Sequence, residues 1–207
     1  RVRGGDPVAI SEELKSASGG GAGLTQRTQT RAYAASLRIA QVHTKNGVGD
    51  WIAVLHTYTA ANALHQCAKR SSSTELLRGV FHGAMPVYFD RWFNKPAARL
   101  PENRRDTATL SDDADTLLSD LLALSDAQGE VDAAAMVAYR YLSLGHSRER
   151  LLQTLGKSLL RADGEFHSYP LLEAAFTQAR ALAEDRARIA LVAATRYLPA
   201  HAPTLRA

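Results

Sequence analysis

The stretch Trp51–Arg70, WIAVLHTYTAANALHQCAKR, decides the fold class. Leu55, Tyr58, Asn62 and His65 recur at three- and four-residue spacing, so they lie along one stripe of a helix. His56, Thr59 and Ala63 form the neighbouring stripe. Its small side chains let another helix come close or leave room for a ligand. Asp50 stands before the apolar run and reads as its N-cap, because its carboxylate can accept one of the unpaired amide protons.

The same period continues on both sides. Upstream, Thr28–His43 reads as a helix with Tyr33, Leu37, Ile39 and Ala40 on its apolar side, stopped by Asn46-Gly47-Val48-Gly49. A short helix is expected over 8–17, ended by the glycine-rich run 18–23; no Gly-Lys-Ser/Thr follows, so this run is not a phosphate loop. Downstream, Ser72 and Glu75 make a capping-box pattern before Leu76–Phe93, whose core candidates are Leu77, Phe81, Tyr88 and Trp92. Pro86 lies inside that segment and crowds the carbonyl of His82, so a kink is expected beside a histidine. Residues 94–106 are the longest polar connection, either a linker between helical layers or a loop over a site.

Further helices are expected from Ser111-Asp112-Asp113 to about Gln128, over Val131–Leu144, over Arg148–Ala162 with Ser147 as cap, and as one long segment Tyr169–Tyr197. Asp112, Asp113, Asp115 and Asp120 read as a solvated acidic face. No alternating strand pattern and no internal repeat is present. The expectation is an all-α, single-domain helical bundle of seven to eight helices over 1–207. The start lacks a signal-peptide core and an initiator Met, so a domain cut from, or downstream in, a longer chain, or a processed one, is expected.

Composition narrows the function classes. Of 207 residues 45% are hydrophobic and 22% charged, the balance of an ordinary globular chain. Cys67 is the one cysteine, which excludes an intrachain disulfide and a cysteine-based zinc site and fits a reducing, cytoplasmic setting. Net charge is +4, but the cations are interleaved with acids and form no phosphate-tracking block, so neither nucleic acid nor membrane is an expected partner. No apolar run approaches the ~20 residues of a membrane span.

The chemistry is expected from histidines. There are seven, and His43, His56, His82 and His167 lie on or at the ends of separate helical segments that could converge. In Leu160–Glu173, LRADGEFHSYPLLE, Asp163 and His167 stand four apart, one turn on a helix face, with Glu165 and Glu173 nearby. Imidazole plus carboxylate suits a transition metal or an acid/base pair. Gly164 weakens the spacing argument: it can end one helix, with Ser168 capping the next and Pro170 in its first turn. His65, His146 and His201 read as surface or cap residues. Tyr58, Asn62, Tyr88 and Trp92 are the candidate substrate pocket. No Gly-x-Ser-x-Gly, His-Glu-x-x-His or dinucleotide glycine fingerprint is present.

Two resemblances bear on this. Asp163–His167 resembles the Asp-x-x-x-His of the haem-oxygenase-like di-iron oxidases, all-helical domains of comparable length. That resemblance implies an O2-using iron site with Asp163 and His167 as ligands. The chain departs from that family in having no Asp or Glu in Thr28–His43, where a carboxylate ligand belongs.

The second resemblance covers more of the chain: 4–7 (GGDP), 50–63 (DW…HTYT…NA), 77–82 (LRGVFH), 87–96 (VYFDRWFNKP), 165–167 (EFH) and 200–204 (AHAPT). These are similar to a histidine-rich helical region associated with Rieske-type ferredoxin proteins. The similarity implies an oxidoreductase domain that receives electrons from an iron–sulfur partner.

The sequence expectation is therefore a metal-dependent oxidoreductase domain, with non-haem iron, a haem or another transition metal as cofactor. His56, His82 and His167 are the first ligands, and Asp163 and His43 the next. The alternative is a non-catalytic helical domain that docks an acidic redox partner.

Overall fold

The computed structural model describes residues 23–127, 129–162 and 164–201, together with Val8, Glu12 and Ser16. Most of the helix expected over 8–17, most of the glycine run and Asp163 lie outside the described residues. Among the described residues there are eight α-helices and no strand: α1 Leu24–Ala40, α2 Val48–Arg70, α3 Thr74–Phe89, α4 Ala114–Asp126, α5 Val131–Ser143, α6 Arg148–Arg161, α7 Ser168–Ala181 and α8 Glu184–His201. The all-α bundle expected from periodicity is the observed architecture.

One helix organises the packing. From Ala187 to Pro199, α8 is buried on nearly every side, and it packs against α1, α5 and α7. A helix apolar all round belongs in the interior. Ala190, Ala193 and Ala194 are fully buried, and small side chains at those positions let neighbouring helices approach closely. The exception in polarity is Arg196, 1% exposed, whose guanidinium bonds Asp132 on α5 and donates to the Val42 carbonyl at 2.9 Å.

The expected helix Tyr169–Tyr197 is in fact two. The chain breaks at Leu182–Ala183, and the acids Glu184 and Asp185 open α8, where negative charge favours a helix start. The carbonyls left over at the end of α7 are taken by side chains of other helices: Arg148 donates to Ala179 at 2.7 Å and Gln29 to Ala181 at 2.9 Å. Periodicity cannot register such a break, because both segments are apolar at helical spacing.

Several caps also shift. Asp50 sits at the third position of α2 and accepts from the Gly47 amide at 3.1 Å, so Gly47 is the N-cap residue. Ser73, not Ser72, caps α3 by accepting from the Leu76 amide at 3.2 Å. Ser147 caps α6 as expected. The kink expected at Pro86 falls on the solvent face, where both Pro86 and His82 are exposed. On that face water can satisfy the carbonyl that loses its donor.

Helix α3 then tightens into the 3-10 segment Asp90–Asn94, and the supposed open loop 94–106 carries a second 3-10 turn at Pro101–Asn103. Pro101 and Thr107 are buried, and Thr107 donates to the Pro101 carbonyl at 3.1 Å. These turns pack against α5 and so do not arch over a site. The acidic face of α4 is ion-paired: Asp112 with Arg140, and Asp115 with Arg150.

Asp90 is 5% exposed, and its Oδ2 has no hydrogen-bond partner among the described residues. Burial raises its pKa from 3.8 to about 6, against the pull of Thr57 and Arg38. The folded state therefore holds this proton more tightly than the unfolded chain does. Stability from this group is full below about pH 4 and falls as pH rises through about 6, by roughly 2–3 kcal/mol. Asp90→Asn should remove that slope and leave the variant more stable than the parent at pH 8, as read by urea unfolding across this range. An unchanged slope would exclude Asp90 as its source.

Candidate functional site

The site forms where α2, the start of α7 and the end of α8 meet. Helix α6 ends at Arg161, and Gly164 belongs to the connection that follows. His167 occupies the N-cap position of α7, and Asp163 lies outside the described residues. The carboxylate that meets His167 is Glu165: its Oε2 lies 3.2 Å from His167 Nδ1. The other oxygen, Oε1, accepts from the Tyr197 hydroxyl at 2.8 Å. Tyr197 is fully buried, stacks on His201 with ring centres 4.0 Å apart, and meets Trp51 edge-on at 6.3 Å.

The electrostatics follow from these contacts. Burial acts to raise the Glu165 pKa, but the hydrogen bonds from Tyr197 and His167 and the charges of His167 and His201 outweigh it and hold it below its ordinary 4.5. Burial and the Glu165 carboxylate push the Tyr197 phenol upward, so it stays a donor. An ionised carboxylate only accepts, so Nδ1 of His167 carries the hydrogen. In the neutral ring Nε2 then bears the lone pair, available to a proton or a metal.

Of the expected ligands, the fold brings two together. The ring centres of His56 and His167 are 5.0 Å apart, in an edge-to-face arrangement. His82 does not join them: the buried face of α3 is Val80, Gly83, Ala84 and Val87, and His82 points to solvent. His43 lies in the turn after α1, where its Nδ1 accepts from the Lys45 amide at 3.1 Å. Among the described residues no group of three or more His, Cys, Asp or Glu is placed to hold one ion. Two imidazoles bound to one ion through ~2.0–2.1 Å bonds have ring centres roughly 5 Å apart, so His56 and His167 suit half of a metal centre and no more. Glu165 already accepts from two donors.

A groove of about 700 Å³ runs from His56 along α2 against α7, lined by Thr59, Ala63, Cys67, Pro170 and Glu173 among others. The stripe of small residues read from the sequence is its floor. Beneath it runs a directional ladder. The Gln178 amide donates to Asn62 Oδ1 and His65 Nδ1, both at 2.8 Å; Asn62 donates to Glu173 Oε2 at 2.8 Å; Thr177 donates to Glu173 Oε1 at 2.9 Å. His65, expected at the surface, is 2% exposed, and burial and Lys69 lower its pKa.

The expected pocket residues separate. Asn62 lines the groove; Tyr58 is buried, its hydroxyl has no hydrogen-bond partner among the described residues, and its pKa is raised by burial and by Glu173. Tyr88 is buried under Arg91, 3.5 Å from its ring centre, and Trp92 is 55% exposed between Arg91 and Lys95. Neither lines the groove: Tyr88 packs with Ala84 and Met85 on α3, and Trp92 lies in the 3-10 segment, which rotates it off the helical stripe. Tyr197 and His201 were not expected at the site; only tertiary packing brings them to Glu165, and no local pattern marks them.

Tyr197→Phe removes one hydrogen bond from the charged form of Glu165. Its carboxyl midpoint, followed by carbon-13 NMR, should move upward. In the parent this group's contribution is present above its ordinary 4.5 and is lost as pH falls through its lowered value; the variant should lose it at higher pH. Glu165→Gln should in turn abolish the Nδ1–H preference of His167 seen in nitrogen-15 spectra. No family model, curated protein or solved structure matches this chain.

Proposed function

We propose that the domain binds a small organic molecule in the groove between α2 and α7 and that His167 accepts a proton from it, with His56 beside the transferred proton. The observation that supports this reading is the run Tyr197–Glu165–His167, ending against His56 at the groove's edge. Glu165 fixes the tautomer that leaves Nε2 basic, and it faces the positive charge once His167 is protonated. Tyr197 holds the second carboxylate oxygen and keeps Glu165 ionised. Ala60, Ala63 and Pro170 give the groove apolar walls, while Asn62 and Glu173 give it polar contacts, so the fitting molecule is amphiphilic with a weakly acidic proton.

A second reading keeps the metal, favoured by the 5.0 Å spacing of the two imidazoles. The described residues supply two ligands, short of the three that a non-haem iron centre takes from its protein. Iron-dependent oxidoreductase chemistry, and a Rieske-type ferredoxin as electron donor, belong to this reading and rest on resemblance. No axial haem ligand is singled out by the geometry.

The test is amide and histidine-ring NMR during titration with phenols, 1,3-diketones and aliphatic carboxylic acids, in chelator and then with cobalt(II). The first reading expects shifts centred on His56, Thr59, Ala63 and Glu173 in chelator, lost in His167→Ala. Shifts that appear only with cobalt, together with visible absorption bands abolished by His56→Ala, would replace it with the second. No groove shifts under either condition would overturn both.

A further inference from the structure

Beside the candidate site, and sharing Glu165 with it, lies a small chamber of about 20 Å³ whose polar lining is Ser158, Glu165, Ser168 and His201. A water needs roughly 10–15 Å³ of such space and about two to four polar partners. The chamber has both. Ser158 is 7% exposed and Ser168 3%, and both place hydroxyl-bearing side chains at its wall. Glu165 contributes a carboxylate.

His201 supplies the decisive partner. Its Nδ1 lies 2.9 Å from the Tyr197 carbonyl, which can only accept, so Nδ1 carries the hydrogen. In the neutral ring Nε2 is therefore an acceptor. It is buried, and it has no hydrogen-bond partner among the described residues. A buried acceptor left unpaired is costly, and stacking on Tyr197 and contact with Trp51, with ring centres 6.2 Å apart, fix the ring in place. Rotation away is closed off, so a donor must come to it.

We propose that the chamber binds one water molecule that bridges His201 Nε2 to the Glu165 carboxylate, and that His201 is thereby a positioning residue for the Tyr197–Glu165–His167 run. The water gives one hydrogen to Nε2 and the other to a Glu165 oxygen, and accepts from a serine hydroxyl. Every partner is then used in the sense its chemistry allows. Glu165 is steered from three sides: Tyr197, His167 and the water. Among the described residues, the other groups lining the chamber are uncharged. The positioning role rests on the proton-acceptor reading of His167; the water site does not.

The experiment is a high-resolution crystal structure of the full chain at neutral pH, with nitrogen-15 and carbon-13 NMR on the parent, His201→Phe and Ser168→Ala. The expected result is one water peak within hydrogen-bonding distance of His201 Nε2 and Glu165. His201→Phe keeps the stacking ring and should lose the peak. It should also shift the His167 tautomer ratio about twofold, the lower end of one hydrogen bond's net worth. Ser168→Ala gives the same readouts should His201→Phe fail to fold.

A dry chamber, or a direct contact between His201 and Glu165, overturns the water site. An unchanged tautomer ratio and Glu165 midpoint in both variants overturns the positioning role. If the water is present but the groove binds none of the small molecules above, the water site stands and the proton-acceptor reading of His167 falls. Binding in the groove over a dry chamber gives the reverse.

Discussion

The constraint on which the rest of the structure depends is that α8 has almost no solvent face from Ala187 to Pro199. All of these side chains except the half-buried Arg188 must find partners inside the protein, and most are small or aliphatic. Shape alone would leave such a helix free to slide or turn, because alanine surfaces discriminate weakly between registers. Arg196 removes that freedom. A guanidinium at 1% exposure is tolerable only with acceptors in place, and Asp132 from α5 and the Val42 carbonyl after α1 meet it from two directions. The charge fixes translation and rotation together. It is the next residue, Tyr197, that reaches Glu165, and one turn later His201 reaches the chamber. The placement of the candidate site is thus a consequence of how the interior charge is satisfied.

A second polar constraint sets α7 against α2. In the ladder from Gln178 to Glu173 each amide hydrogen used has its acceptor, and the direction of donation is set by Glu173, which can only accept. Shifting α7 by one residue would strand several buried polar groups at once. The ladder therefore specifies register as well as adding stability. The same register puts Pro170 and Glu173 on the groove opposite the small stripe of α2. The groove persists because nothing larger than alanine or threonine lines that side of α2 between His56 and Gln66, apart from Asn62 in the ladder.

Much of this was legible in the chain. Helical period, caps within one to three residues, and the stripes of Trp51–Arg70 all follow from short-range geometry, which the sequence encodes directly. Leu55, Tyr58 and Asn62 share a buried stripe, with His65 buried on it against expectation, and His56 and Thr59 line the groove. What short-range geometry cannot encode is which helices become neighbours. His82 and His167 look alike as histidines on apolar segments, yet one faces water and the other meets His56. The difference lies in whether the helix stripe containing the histidine is the one covered. Glu165 was visible beside His167; Tyr197, 30 residues further on, was not. The break at Leu182–Ala183 was hidden because its carbonyls are capped by Arg148 and Gln29, distant in sequence.

His167 and His201 show why tautomer matters more than proximity in reading such a site. Both rings are pinned at Nδ1 by a group that can only accept, a carboxylate in one case and a carbonyl in the other. Both therefore present a lone pair at Nε2 when neutral. They differ in what surrounds that lone pair. His201 Nε2 is buried beneath the bundle's end, where a bound solvent molecule is the partner that fits. The His167 side chain keeps 24% of its surface exposed, beside His56 at the groove. On the proposed reading, the more exposed ring of His167, packed against the groove residue His56, is the one that acts on a bound molecule, and His201, with its Nε2 buried, is the one that supports it.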